Sequence, residues 1–213
     1  MKRSERKKRE FSRRAIAVIG EGPTEQYYLL SLQKLLPVTI FPRIVKTGME
    51  YLRARVEECI AEDYERVYCL IDMDDKTRPK EKKAYEDFLR CYSGKCFGRR
   101  SDGGSTEVIV IENRPCLEIW FYYYFRLTTG LYSTYEKVNP LKPVLRQFLP
   151  EYEKSQSFFQ RCGGLHQYIT AKGGSIMAAV RNSELSMGKH DEGAKGAFSA
   201  MGVFLKDVGL SAV

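Results

Sequence analysis

Histidine is nearly missing from this chain, with two in 213 residues. Its six cysteines (Cys59, Cys69, Cys91, Cys96, Cys116, Cys162) include no pair at C-x-x-C spacing. A structural zinc site draws on closely spaced Cys and His, so none is expected. Scattered thiols without a framework read as reduced cysteines of a cytoplasmic protein. Every apolar run stops well short of the roughly 20 residues that span a bilayer, so no transmembrane helix is expected. The short run after Arg14 carries Glu21 and lacks a small-residue cleavage site, which argues against a signal peptide. There is no Walker-type phosphate-binding sequence, hence no ATPase signature, and no internal repeat.

Acidic excess is missing as well, since the net charge is +8. That excess is local. Residues 1–14 carry Lys2, Arg3, Arg6, Lys7, Lys8, Arg9, Arg13 and Arg14 against Glu5 and Glu10, which leaves the rest of the chain close to balance. So polar a segment buries no core of its own. It is read as a basic arm, either solvated or laid along a nucleic-acid backbone.

Two hydrophobic runs do stand out, and each closes on acid: residues 15–19 before Gly20-Glu21-Gly22, and residues 67–71 before Asp72-Met73-Asp74-Asp75. Continuous apolar runs of this kind read as buried parallel strands. Their carboxyl ends form the ligand-binding edge of an open α/β sheet. Carboxylates gathered at such an edge repel one another unless a cation joins them, and hard oxygen donors suit Mg²⁺ or Mn²⁺. Asp72 and Asp74 share one side of an extended chain, with Met73 on the other. The bland alternative for a strand-terminal Asp-x-Asp is a solvated turn.

Strands are expected near residues 15–20, 38–45 (an edge, because of Pro42), 65–74 and 106–111. Helices are expected between them: from Thr24 to Pro37, after Gly48, and around residues 84–92. This alternation implies a mostly parallel four-stranded sheet flanked by helices. Residues 75–83 and 93–105 read as charged loops. From Cys116 the pattern turns helical, with residues 117–125 apolar on nearly all sides, a core helix rather than a stacking surface for bases. Further helices are expected within residues 140–150, 158–168 and 196–208, with loops at Gly173-Gly174 and residues 186–193. The expected organisation is a basic arm (1–14), an α/β domain (15–125) and a helical C-terminal extension packed on it (126–213).

The Glu21-Gly22-Pro23-Thr24-Glu25 and Asp72-Met73-Asp74 motifs resemble those of the Toprim superfamily, the metal-binding α/β domain of topoisomerases, primases and OLD-type nucleases. Residues 113–125 (NRPCLEIWFYYYF) are similar to the N-P-x-F-E-x-W-x-L-x-H-F segment of the RloB-like family, small Toprim proteins encoded beside bacterial restriction and phage-defence systems. This chain departs from the pattern at Arg114, inserted between the usual Asn and Pro, at Leu117 in place of Phe, and at Tyr124 in place of His. The resemblance implies a Toprim-like, Rossmann-like fold. It also implies Glu21 as metal ligand or general acid/base, and Asp72 and Asp74 as metal ligands.

Glu118, on the first turn of the following helix, either completes a second metal site or serves as a helix-dipole partner or cap. Lys154 in Tyr152-Glu153-Lys154 falls where RloB-like sequences often have Tyr-x-Lys. It either neutralises charge on a reacting phosphoryl group or is a surface lysine. Lys76, Arg78, Lys80, Lys82, Lys83, Arg99 and Arg100 could hold a phosphate backbone. Asp75 and Glu25 are read as supporting or solvated neighbours.

The leading functional expectation is a Mg²⁺- or Mn²⁺-dependent nuclease acting on DNA or RNA in phage defence or restriction. The alternative is a non-catalytic Toprim-like subunit that needs a neighbouring restriction or ATPase subunit. A phosphatase built on Asp72-Met73-Asp74 is less favoured, because the motif follows a later strand and lacks the small residue and Thr that ordinarily come next.

If the arm contacts phosphates, deleting residues 1–14 should flatten the dependence of nucleic-acid binding on salt. Titrations of the full chain and the truncated chain over a range of NaCl measure this, and an unchanged slope assigns the arm to solvent.

Overall fold

The computed structural model describes residues 16–36, 39–40, 48–62, 64–98 and 104–210. The basic arm, Pro42, Arg99 and Arg100 lie outside the described residues, as does most of the expected second strand. The protein is an α/β structure with a mixed sheet flanked by helices.

Strands β1 (Ile16–Gly20), β2 (Thr39–Ile40), β3 (Arg66–Asp72) and β5 (Ser105–Arg114) pair in parallel, in the order β2-β1-β3-β5. Two antiparallel strands extend β5 beyond this expected set. Strand β4 (Lys95–Gly98) runs against residues 105–108, and β6 (Phe198–Ser199) against Asn113 and Arg114. The expected sheet of four mostly parallel strands is thus, among the described residues, a mixed sheet of six. The reason is tertiary. Phe97 turns its ring onto Tyr92, at 5.9 Å between centroids, which draws a segment rich in Gly and basic residues into the sheet. The Ser199 hydroxyl donates to Asn113 Oδ1 at 2.6 Å, tying a distant dipeptide to the end of β5.

Period-two alternation sends the strand side chains to two cores. Ala17, Ile19, Val67, Cys69, Ile71 and Val108 meet α2 (Met49–Ala61) and α3 (Pro79–Tyr92) on one face. Val18, Tyr68, Leu70 and Ile111 meet α1 (Pro23–Leu32), α4 (Glu118–Tyr123) and the C-terminal helices on the other. Those helices are α5 (Lys142–Leu145), α6 (Gln156–Arg161), α7 (Leu165–Ala171), α8 (Ile176–Asp191) and α9 (Met201–Asp207). Arg66 ion-pairs with Asp207 at 2.9 Å, fastening α9 to β3. Among the described residues, no helix is long and apolar enough to cross a membrane.

Helix α4 is buried on all sides, as its composition implied, so Trp120 and Tyr122 to Tyr124 are core rather than a platform for bases. Burial obliges their polar tips to find partners. Trp120 Nε1–H donates to the Tyr28 hydroxyl at 2.5 Å, Tyr28 and Tyr124 share a hydroxyl bond of 2.7 Å, and Tyr124 meets His166 Nδ1 at 3.0 Å.

Two stretches expected to be loops are helical. Helix α3 begins at Pro79, which suits the first helical position because its missing N–H would have no partner there. Helix α8 continues through Ser186 to Asp191. Ser183 and Ser186 are buried, and their hydroxyls bond to Ser199 O at 2.5 Å and Ser183 O at 2.8 Å, so their polarity does not break the helix.

One glycine governs how the fold presents its acidic edge. A Cβ on Gly20, at the end of β1, would lie 2.4 Å from Glu25 Cβ and 3.3 Å from the Gln26 backbone nitrogen. Helix α1 therefore approaches the strand only because no side chain stands there. Gly20→Ala should destabilise the fold by about 1–3 kcal/mol, the usual cost of overpacking. Urea melts of the two proteins measure it, and equal midpoints would contradict the close approach.

Candidate functional site

The ends of β1 and β3 and the start of α1 meet at one edge of the sheet. Glu21 continues the pairing of β1 with β3, its N–H bonding to Leu70 O at 3.2 Å. Asp72 is the last residue of β3, paired with Asn113. Its Oδ1 accepts from the Leu117 N–H at 2.8 Å, which joins the strand end to the turn before α4. A cleft of about 230 Å³ opens there, lined by Glu21, Glu25, Asp72, Asp74, Asp75 and Lys154, together with Gly22, Pro23, Thr24 and Gly48.

Two layers of charge build the cleft. In the deeper layer, Glu118 has no exposed side-chain surface and Asp72 keeps 15 %. Lys154 lies between them, with Nζ 3.2 Å from Glu118 and 3.7 Å from Asp72 Oδ2. The Tyr152 hydroxyl donates to Glu118 Oε1 at 2.9 Å, so Tyr152 and Lys154 grip the same carboxylate from two residues apart. Glu25 is buried beside them. Burial raises the Glu25 carboxyl above its ordinary pKa, with the Lys154 charge opposing. Burial and then the Glu25 charge raise Asp72, and Lys154 again opposes. Burial lowers the affinity of Lys154 for its proton, but Glu118 and Asp72 more than offset this, so its pKa is raised.

The outer layer holds Glu21, Asp74, Asp75 and Lys76. Lys76 Nζ donates to Glu21 Oε1 at 2.6 Å and to Asp75 Oδ1 at 2.8 Å. Glu21 Oε2 is buried with no hydrogen-bond partner. Burial pushes the Glu21 carboxyl up to about 7, with Lys76 pulling back against it. Burial also raises Asp74, and Lys154 draws it back.

The structure thus places Glu21, Asp72, Asp74 and Lys154 around one cleft, with Glu118 behind Lys154. Lys154 is not a free surface lysine, because two carboxylates hold its ammonium. Lys76, considered above for phosphate contact, turns inward and is 5 % exposed, its charge engaged by Glu21 and Asp75. Arg78 is exposed at the start of α3 and shares a concavity with Asp74, Lys137 and Lys154. Lys80, Lys82 and Lys83 are carried on α3, and Arg99 and Arg100 lie outside the described residues.

Three participants escaped the sequence reading. Glu25, taken for a neighbour, is a buried member of the cluster. It follows Glu21 by four residues, a helical spacing that could have marked it. Cys116 brings its sulfur, with one carboxylate oxygen each from Asp72 and Glu118, into a group whose atoms lie within 4.8 Å of one another. Burial pushes its thiol well up, and the charges of Glu118 and Asp72 push it further. Tyr152 carries no signal except its place in Tyr-x-Lys.

An α/β protein that gathers carboxylates from the ends of two adjacent parallel strands around a cleft defines the class to which this chain belongs. A family model described as RloB-like protein matches residues 16–204, and the chain belongs to the RloB-like family. No curated protein and no solved structure matches it.

Because Glu21 holds its proton to higher pH when folded, the folded chain carries a proton that the unfolded chain has already released. The metal-free protein should therefore lose stability as pH rises from about 4.5 to about 7 and level off above, by roughly 3 kcal/mol from this residue. Urea melts in EDTA at about pH 5 and about pH 7.5, on wild type and Glu21→Gln, test it. The same difference in both proteins would assign the effect to other groups.

Proposed function

We propose that this protein is a metal-dependent nucleic-acid phosphodiesterase, a Toprim-type nuclease of the RloB-like family, working in phage defence or restriction. The observation that carries the reading is the charge imbalance of the cleft. Six carboxylates (Glu21, Glu25, Asp72, Asp74, Asp75, Glu118) share two ammonium groups, Lys76 and Lys154, and one buried carboxylate oxygen, Glu21 Oε2, is left without a partner. Carboxyl groups buried in such excess either keep their protons, the direction in which Glu21, Glu25, Asp72 and Asp74 are all shifted, or release them to a further cation.

The donor types suit a hard divalent ion, although among the described residues the ligand atoms within 4.8 Å of one another are those of Asp72, Cys116 and Glu118, so Glu21 and Asp74 would have to draw in toward Asp72 to share one. Glu21, Asp72 and Asp74 line the cleft and offer oxygen only, the preference of Mg²⁺ and Mn²⁺. When bound, such an ion supplies Lewis-acid polarisation of a phosphoryl oxygen and an acidified water. The remaining work falls to the chain. Glu21, with its carboxyl held near neutrality by burial, is suited to accept or return a proton. Lys154, fixed by Glu118 and Tyr152, directs a positive charge to the cleft wall, where charge on a transferring phosphoryl group would develop. Glu118 is then a positioning residue for Lys154, since its own oxygens are taken up by Lys154 and Tyr152.

Metal dependence is tested without knowledge of substrate. A ligand at about 100 times its Kd adds about 2.7 kcal/mol to the native state, enough to move a melting midpoint by several degrees. Mn²⁺ should raise the midpoint of wild type, and Asp72→Asn and Asp74→Asn should lose most of that rise. Without metal, Asp74→Asn should be as stable as wild type or more so, because it removes a like charge from the cluster. An equal Mn²⁺ shift in all three proteins would overturn the site and the nuclease reading with it.

A further inference from the structure

Asp74 stands where three concavities meet. One is the acidic cleft. The second, of about 500 Å³, runs from Met73 and Asp74 past Arg114 and Pro115 to Tyr132, Thr134, Val138 and Lys195. The third, of about 310 Å³, is bounded by Asp74, Arg78, Thr134, Lys137 and Lys154. The second and third share Asp74 and Thr134, so they adjoin as two parts of a trough beside the acidic cleft.

The trough has the opposite electrostatic character from the cleft. Arg114 and Lys195 are free of ion pairs among the described residues, and Arg114 Nε is buried with no hydrogen-bond partner. Its guanidinium lies over the Phe198 ring, 5.6 Å from the centroid, which fixes its plane without neutralising its charge. Lys76 also lines this part but is already engaged by Glu21 and Asp75. At the other end, Arg78 and Lys137 are exposed, and the acid beside them, Glu136, is held by Lys142 at 2.7 Å. The rim of the larger part is apolar: Leu131 and Val138 are each 66 % exposed, the highest values among the exposed large apolar side chains, and both line this single concavity beside the Tyr132 ring.

Resting on the reading of the cleft as a phosphodiesterase site, we propose that the larger concavity seats an unpaired nucleotide of a single-stranded nucleic acid. Its phosphate meets Arg114 and Lys195, and its base lies against Leu131, Val138 and Tyr132. The strand continues over Asp74 toward Arg78 and Lys137. A flat apolar ligand with an attached anion is what a concavity lined by both cationic and exposed apolar side chains accommodates, and the volume is in the range of sites for small ligands. A base inside a duplex shows only its edge, whereas an unpaired base offers the face that such side chains can cover. Arg114, which interrupts the Asn-Pro pair usual in the family, thereby becomes a residue that grips the strand.

The test is anisotropy of fluorescein-labelled oligothymidylate and oligouridylate of about 12 nucleotides, and of a duplex of the same length, with the full-length chain in EDTA. Wild type should bind both single strands more tightly than the duplex. Arg114→Gln and the exposed Lys195→Gln should each weaken single-strand binding by about tenfold and lower the salt slope by about 0.7. Leu131→Ser with Val138→Ser should weaken binding and leave the slope as it was. Preference for the duplex, affinity unchanged in Lys195→Gln, or no binding of either single strand would overturn the proposal. Mn²⁺ melts of the same preparations separate it from the reading of the cleft. A metal shift retained without strand binding rejects the trough and leaves the metal site standing. Strand binding that depends on Arg114, with no metal shift, supports the trough and removes the metal chemistry.

Discussion

Burying a carboxylate costs several kcal/mol unless positive charge and hydrogen bonds replace the lost water. This chain buries or nearly buries Glu25, Asp72 and Glu118 around one ammonium group, that of Lys154. The three acids come from α1, the end of β3 and the start of α4, and the lysine from a segment far along the chain. No local propensity could bring them together. Once Lys154 stands between Asp72 and Glu118, with Tyr152 on the same glutamate, the residues after α4 must lie against the carboxyl edge of the sheet. The C-terminal helices then complete the core on the face that contains Tyr28 and Trp120.

The same constraint divides the site into a compensated layer and an uncompensated one. Glu118 and Asp72 are answered by Lys154, by Tyr152 and by the Leu117 N–H. Glu21 is answered only in part, by Lys76 at one oxygen, and Asp74 faces the opening. The deep layer sets geometry, and the outer layer retains the charge that a cation would relieve. Asp74 belongs to both the acidic cleft and the cationic trough, so the two opposed fields meet at one carboxylate.

Much of this is legible in the sequence. The apolar strands ending in acid, the core character of residues 117–125 and the kinship of the NRPCLEIWFYYYF stretch are properties of local pattern, and local pattern survives folding. Period-two alternation in residues 66–72 assigns Val67, Cys69 and Ile71 to one core and Tyr68 and Leu70 to the other without reference to anything distant. What misled was composition. Ser, Gly and charge at residues 186–193 suggested a loop, yet buried serine hydroxyls that bond to carbonyls are compatible with α8. Pro79 suggested a break, yet it opens α3.

By itself the sequence determined the α/β alternation, the strand ends that carry Glu21, Asp72 and Asp74, and the family, because each rests on residues close together in the chain. Only the tertiary structure decided that Glu25 is a buried member of the cluster, that Lys76 turns inward to Glu21, and that Lys154 and Tyr152 grip Glu118. It also decided that β4 and β6 extend the sheet. These outcomes depend on which charges end up within a few ångströms once water is excluded. The energy of such a pair scales inversely with distance and local dielectric, two quantities that exist only after the chain has folded.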